Sequence, residues 1–381
     1  MNTTTITTTA AANTAAAVAA VDPAVTSGAA TSHGLTAEEV EAFGAELDAI
    51  RQRTLDDLGE RDLAHIHQMI RTARYSEALG RLLLHVGRGP VSFAVGTAAL
   101  ALSKVLENME IGHNIMHGQY NWTGDPELQG QTYEWDNVCA GDNWRHFHNY
   151  EHHTYTNILG KDRDIGYTAI RVSSDQPWSP GHLVQPVGAL VLAALFQWGV
   201  AVHDLRIEDL AEGTCTPEEL FERSKPFLRK AAWQLGKDYL VFPALALHRA
   251  PRVFAGNLLA NLVRNVWSFS VIFCGHFPEG VHMYHPEETE EETRGAWYLR
   301  QLNGSANFEG SRLMHILSGH LSHQIEHHLY PDIPAHRYPE LAVEVREVCT
   351  RYGQSYNTGS LRTQIVSVAR NILRYALPNR A

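Results

Sequence analysis

The chain has 381 residues, of which 44% are hydrophobic and 19% charged, and carries a formal net charge of −11. That acidic balance argues against nucleic-acid binding, and four cysteines without paired spacing leave no disulfide framework, zinc ribbon or thiol-redox motif, consistent with a reduced compartment. A mean hydropathy of −0.24 does not mark a membrane protein by average, but long polar stretches dilute averages, so individual segments decide.

Residues 1–33 are rich in Thr and Ala and hold no lysine or arginine. A secretory signal needs a positive region before its apolar core, so this stretch is expected as a disordered tail ahead of a single domain at 34–381. Thr36 and Glu39 fit a capping box opening a predicted helix of about twenty residues. Residues 82–86 form an apolar patch, and 89–103 an uncharged run between Arg88 and Lys104. Residues 183–203 carry no formal charge and are long enough to cross a bilayer; this is the one segment that reads as an unambiguous span. Residues 239–248 and 253–278, the latter interrupted by Arg264, are further candidates. From His336 to about Tyr352, charged and apolar residues alternate at helical spacing, as in a cytoplasmic cap.

Histidines carry the chemistry. They stand as HNIMH (His113, His117), HNYEHH (His148, His152, His153) and HQIEHH (His323, His327, His328). On a helix, residues four apart share a face and can reach one metal ion. An adjacent pair fans apart by about 100° and can serve two ions, so repeated pairs suit a dinuclear site. The patterns HExxH and HxE…PCxxC are absent, which weakens the common zinc-hydrolase and deaminase readings. Imidazole alone leaves Zn, Cu, Fe and Ni open, but this supply of histidine exceeds what tetrahedral structural zinc requires. Glu151 and Glu326, just before the pairs, and Asp162 and Asp164, just after the second cluster, are candidates for orienting the imidazoles.

The three boxes, their order and their flanks (ENMEIGHNIMHGQYNW, NWRHFHNYEHHTYTNILGKDRDIGY, NVWSFSVIFCGHFPEG and SGHLSHQIEHHLYPDIPAHRYPEL) resemble the integral-membrane fatty acyl desaturases, in particular bacterial acyl-CoA or acyl-lipid desaturases. The likeness runs over roughly residues 35–380. It implies an all-α, membrane-embedded helical bundle of about four spans, with a cytoplasmic helical cap holding a di-iron site. It further implies that His113, His117, His148, His152, His153, His327 and His328 are iron ligands. His276 matches an isolated histidine that this family uses ahead of the third box, with His282 and His285 weaker candidates. Either His323 or Gln324 leads the third box. His320 and His146 are alternative ligands or neighbours that orient the ligands.

By the same resemblance the activity is O2-dependent formation of a cis double bond in a long-chain acyl group, thioester- or lipid-linked. It consumes two external electrons and releases two waters. The boxes would face the cytoplasm from a multi-pass cell-membrane protein. No HPGG-type haem segment and no nucleotide-binding loop occurs, so a separate electron donor is expected, a ferredoxin, a flavin reductase or a cytochrome b5-like protein. Trp144, Trp267 and Trp122 are candidates for lining a substrate tunnel. Hydroxylases, alkane monooxygenases and carotenoid-type oxygenases share the boxes and are the enzymatic alternative. A non-catalytic membrane metal-binding protein is the alternative of another class.

Boxes that meet on one side require an even number of crossings between 153 and 320. Either 183–203 and 253–275 both cross, or 239–275 forms a hairpin tipped by Arg249, Pro251 and Arg252 and 183–203 is re-entrant.

Overall fold

The structure, a computed structural model, describes residues 34–379; the Thr/Ala-rich stretch expected as a tail, 1–33, lies outside the described residues. The capping box forms: Glu39 N–H donates to Thr36 Oγ1 at 3.2 Å, the Glu39 carboxylate accepts the Thr36 N–H at 2.7 Å, and α1 runs Ala37–Asp56. Helix α2 (Glu60–Val86) turns at Gly87 into α3 (Gly89–Met116), whose start is set by Gly89 at φ +73° and Pro90 behind it. The two helices pack closely because their contact is glycine: a Cβ on Gly80 would lie 2.8 Å from Leu100 N, and one on Gly96 2.9 Å from Leu83 Cβ.

The uncharged run at 183–203 is not the straight span its composition predicts. Helix α4 (Gln185–Ala194) stops at Leu195, and α5 (Phe196–His203) leaves in another direction, bending the pair by 102°. The break frees the Ala194 carbonyl, and Asn265 Nδ2 donates to it at 2.8 Å. An interrupted helix survives at membrane depth only when neighbours satisfy the exposed backbone, and here an asparagine from another helix does so.

Helix α6 (Pro217–Leu235) continues through a π-helical turn, Gly236–Val241, to a tip at Leu247–Arg249, and α7 (Ala250–His276) returns. This is the hairpin form of the two topologies, with 183–203 as the bent element. Among the described residues, Gly89–Met116 and Leu247–His276 are long and apolar enough to cross a membrane, at mean hydropathies of 1.4 and 1.3. The tips of the two hairpins meet, since Arg249 Nη1 donates to His85 O at 3.2 Å and Gly87 O at 2.6 Å.

Inside the bundle, Asp238 accepts from Lys104 Nζ at 2.8 Å, Arg81 Nη2 at 3.2 Å and Asn261 Nδ2 at 3.0 Å, joining α2, α3, the π-turn and α7. Buried charge persists only when paired in this way.

The cap comprises α8 (Arg294–Asn303), α9 (Gln324–Leu329), α10 (Tyr338–Arg351) and α11 (Leu361–Tyr375), with α1 packed against them. Its core includes Phe43, Leu47, Tyr298, Ile325, Tyr330, Tyr338 and Val345. Two three-residue strands, β1 (Asn307–Glu309) and β2 (Thr358–Ser360), pair in parallel; the fold is otherwise all-α. The helix expected from His336 to about Tyr352 is α10.

Candidate metal centre

Helices α3 and α7 both run from the hairpin tips toward the cap, and each ends in a histidine segment. Helix α3 widens into a π-helix at Leu106–His113 and delivers His113 and His117; α7 ends on His276. The second box is also π-helical, Arg145–His152, and His153 N–H donates to His148 O five residues back. That wider turn carries His152 and His153 past the His148 face on either side, so all three rings point inward. Such π-segments are uncommon and concentrate at functional sites. The third box sits on the short helix α9, with His327 and His328 fully buried.

The rings form two groups. His113, His117, His148 and His327 offer nitrogens within 4.8 Å of one another, and so do His152, His276 and His328. His153 lies between them, its ring 4.7 Å from His117, 4.8 Å from His327 and 4.5 Å from His328. The Nε2 atoms of His113, His117, His148, His152, His153, His327 and His328 are buried without a hydrogen-bond partner. Buried polar atoms are rarely left so, and this many converging imidazoles suit metal ions.

Of the opposite nitrogens, those of five rings are held, while His153 Nδ1 is also buried without a partner. His152 Nδ1 lies 3.0 Å from Asp162 Oδ2, His148 Nδ1 3.4 Å from Asp164 Oδ2, and His113 Nδ1 3.0 Å from Asn114 Oδ1. His328 Nδ1 meets Gln301 Oε1 at 3.0 Å and Thr156 Oγ1 at 3.3 Å, and His327 Nδ1 meets the Tyr338 hydroxyl at 3.4 Å. A donated N–H fixes the ring and leaves the other nitrogen's lone pair facing inward. Burial, and then the neighbouring imidazoles, hold His153, His327 and His328 well below the usual histidine range, so their rings are neutral as ligation demands. Burial opposes charge on His152 as well, but Asp162 and Asp164 outweigh it and raise its pKa.

Several residues singled out by sequence lie elsewhere. His323 is not brought to the cluster: Leu321–His323 is a 3-10 turn, α9 starts only at Gln324, and His323 has φ −109° and ψ 58°. It therefore does not share a helical face with His327, and its ring packs 4.7 Å from His315. Gln324 instead faces the site, with Nε2 3.0 Å from His276 Nε2. His320 pairs with Glu110 at 2.9 Å, and Glu110 also binds His65 at 2.6 Å. His146, largely exposed, lies 3.4 Å from Glu151, which faces Arg206. Glu326 points away from the imidazoles to Asn307 and Tyr356, both at 2.8 Å. His282 donates its backbone N–H to Asn303 O, and the His285 N–H binds Glu288. Sequence reasoning missed Gln301, Thr156 and Tyr338, which come from distant or unmarked stretches; Asn114, adjoining His113, had a local signal.

A narrow cleft opens on the histidines. It is lined by His113, Trp144 and His148, by Asn108, Arg264 and Ser268, and by Phe196 and Val200 from the bent element. Trp144 stacks on His148 with centroids 4.5 Å apart. Trp267 binds Leu317 O and Trp122 is 43% exposed, and neither lines the cleft.

The fatty acid desaturase family model matches residues 89–360. The NADPH-dependent stearoyl-CoA 9-desaturase of Mycobacterium tuberculosis is 43% identical over 361 residues, 94% of this chain and 84% of the relative. The sn-1 linoleoyl-lipid 6-desaturase of Synechocystis is 28% identical over 288 residues, 70% of this chain and 76% of its own. Histidine clusters at the ends of apolar helices, and relatives of this kind, lead to one conclusion: the chain belongs to the fatty acid desaturase family, as a membrane oxidoreductase that binds metal and desaturates fatty acyl chains.

Proposed function

We propose that the chain introduces a cis double bond into a long-chain acyl-CoA at two non-haem irons. One would be held by His113, His117, His148 and His327, the other by His152, His276 and His328, with His153 between them and Gln324 beside His276. The observation carrying this reading is the pair of adjoining nitrogen clusters in which every imidazole keeps a buried ring nitrogen without a partner, Nδ1 for His276 and Nε2 for the others. Imidazole donors without cysteine admit iron among other transition metals, and O2-dependent desaturation, the chemistry of the family, calls for a redox-active ion, which zinc is not. Two irons bound there would supply activation of O2 and abstraction of hydrogen from an unactivated methylene pair.

The chain's own residues do the rest. Asp162, Asp164, Gln301 and Tyr338 hold the ring orientations. Trp144 and the cleft walls confine an extended chain beside the histidines, and burial keeps water from the reacting carbon. The coenzyme A carrier, the position nine carbons along and the use of NADPH rest on the name of the mycobacterial relative; a separate donor is the expectation from the sequence. We place the protein in the cell membrane with the histidine side in the cytoplasm, because coenzyme A and NADPH are found there and, among the described residues, the far side has two short tips.

The test uses purified chain loaded with iron, a flavin reductase or ferredoxin system and stearoyl-CoA. Oleoyl product, with O2 consumption strictly dependent on reductant and a dinuclear Mössbauer signature, is expected. A hydroxylated acyl chain would establish the hydroxylase alternative, and iron-loaded protein that never consumes O2 with any acyl donor would establish metal storage. Steady turnover without reductant would refute the separate donor.

A further inference from the structure

We infer that α11 (Leu361–Tyr375) lies in the plane of the membrane on the histidine side and binds anionic lipid headgroups through Arg362, Arg370 and Arg374. The inference depends on the membrane embedding of α7 and is independent of the iron chemistry.

The inner face of α11 is spoken for: Gln364, Val368 and Ile372 are buried, and Gln364 Nε2 donates to Asn307 O at 2.9 Å. The outer face is not. Ile365, Ala369, Leu373 and Leu377 follow one another at intervals of four, all exposed, with Leu373 at 59% and Leu377 at 57%. Beside that stripe runs a second, Arg362, Val366, Arg370 and Arg374, also exposed. Residues 361–379 contain no acidic residue, in a chain of net charge −11. Among the described residues, none of the three arginines has a carboxylate within 4.0 Å. An apolar stripe flanked by arginines, on a helix of low net hydrophobicity, is the pattern of helices that lie in the interface rather than across it.

The depth of α11 agrees. Helix α7 has 27 residues, about 40 Å at 1.5 Å per residue, against a hydrocarbon core of about 30 Å. Its lipid-exposed side chains end near Val266, 42% exposed, and the last turns are enclosed, so His276 emerges at headgroup level. Helix α11 is fastened there: Asn371 Nδ2 donates to Phe277 O at 3.0 Å, and Glu279 N–H to Ser367 Oγ at 2.7 Å. Its other end is tied to the bent element, with Gln185 Nε2 donating to Ile372 O at 2.7 Å and Trp178 Nε1 to Ala376 O at 2.9 Å. Tryptophan favours this depth. The stripe on α11 therefore continues the exposed apolar face of α4, where Val187 is 65% and Leu190 73% exposed. Three arginines without carboxylate partners at that level select phosphate-bearing, anionic lipid.

The experiment uses the full chain in nanodiscs of phosphatidylcholine alone, or with about one third phosphatidylglycerol. A nitroxide on Leu373→Cys, in a Cys215→Ser background, should collide with O2 more than with a water-soluble nickel chelate. Amide exchange over 361–377 should slow when phosphatidylglycerol is present. The triple variant R362Q/R370Q/R374Q should abolish that slowing; at about fivefold per arginine near an anionic surface, the loss is of the order of 100-fold. A Leu373 label that meets the aqueous chelate as freely as O2 assigns this face to a protein partner and overturns the inference. Exchange that is the same in both lipids overturns it as well.

Discussion

Replacing Asp162 by asparagine tests whether the carboxylate behind His152 governs one half of the metal centre. Asp162 is buried and makes four contacts: His152 Nδ1 at 3.0 and 3.1 Å, the Asn157 N–H at 2.7 Å and the Asp164 N–H at 2.9 Å. Asparagine keeps the shape but offers a single acceptor oxygen, so at least one of these donors faces an amide NH2. A hydrogen bond to a charged group contributes about 1.5–3 kcal/mol against about 1 for a neutral one. Neutralising the partner of His152 thus removes about 0.5–2 kcal/mol from the metal-bound state, about 2–30-fold in affinity at 1.4 kcal/mol per tenfold. The lost backbone acceptor costs about a further 1–3 kcal/mol and loosens the segment in which Asn157 sits at φ +58°. Iron per chain, measured by elemental analysis after competition with a chelator, should fall from two toward one. Turnover of stearoyl-CoA should fall about 10–100-fold, the range typical of such outer partners. Glu151→Gln, whose carboxylate faces His146 and Arg206, is the control and should change neither. If D162N keeps two irons and full turnover in folded protein, the role given to the carboxylate is wrong.

The third box gives a sharper division. His276→Ala should lower iron toward one per chain, while His323→Ala should leave iron content intact; the reverse result would show that the box is led by His323. Asp238→Asn leaves Lys104 buried without its carboxylate, and should destabilise the detergent-solubilised protein by about 3–5 kcal/mol, read as a fall in melting temperature. Adding Lys104→Met in that background should recover most of the loss, and an unchanged melt for D238N would show that the bundle does not depend on this pair. Glu326 supplies a pH test. Burial pushes its carboxyl up to about 7 from the usual 4.5, against hydrogen bonds from Tyr356 and Asn307 that lower it. Between those values the folded state holds a proton that the unfolded state has lost, so stability falls as pH rises. Glu326→Gln removes that fall, with a gain over wild type near zero at pH 4.5 and about 3 kcal/mol at pH 8, at 1.36 kcal/mol per pKa unit. A pH-independent difference between the two melts would refute the assignment.

What could be read from the sequence was whatever is encoded by neighbours along the chain. Thr36 and Glu39 announce a helix start because both halves of the capping box lie within one turn. The pair His327–His328 announces two groups of rings because adjacency on a helix forces divergence: His327 joins one group and His328 the other. The points that the sequence left open share one cause. His323 looks like a box leader only if the helix already exists at 323, and it begins at Gln324. Residues 183–203 look like a straight span because composition does not register that Asn265 stands ready to take the Ala194 carbonyl. Arg264, which in a list of apolar residues reads as a blemish on α7, lines the cleft.

The polar groups hidden in the bundle follow the same logic and explain why the metal centre is held where it is. Asp238 draws Lys104 of α3 and Arg81 of α2 together, and Asn257 and Asn261 of α7 join them; Asn257 Nδ2 donates to Asp238 O, and Asn261 Nδ2 to Asp238 Oδ2. Lys104 precedes His113 by nine residues, and Asn261 precedes His276 by fifteen. At 1.5 Å of rise per α-helical residue the second length is about 22 Å, and the first runs mostly through the π-helical segment Leu106–His113. Fixing α3 against α7 at Asp238 therefore fixes the axial position of His113 relative to His276, which belong to different histidine groups. If this coupling holds, D238N should lower iron affinity as well as stability, although Asp238 touches no histidine. A variant that melts earlier but binds iron as wild type does would separate the two roles and limit the buried pair to stability alone.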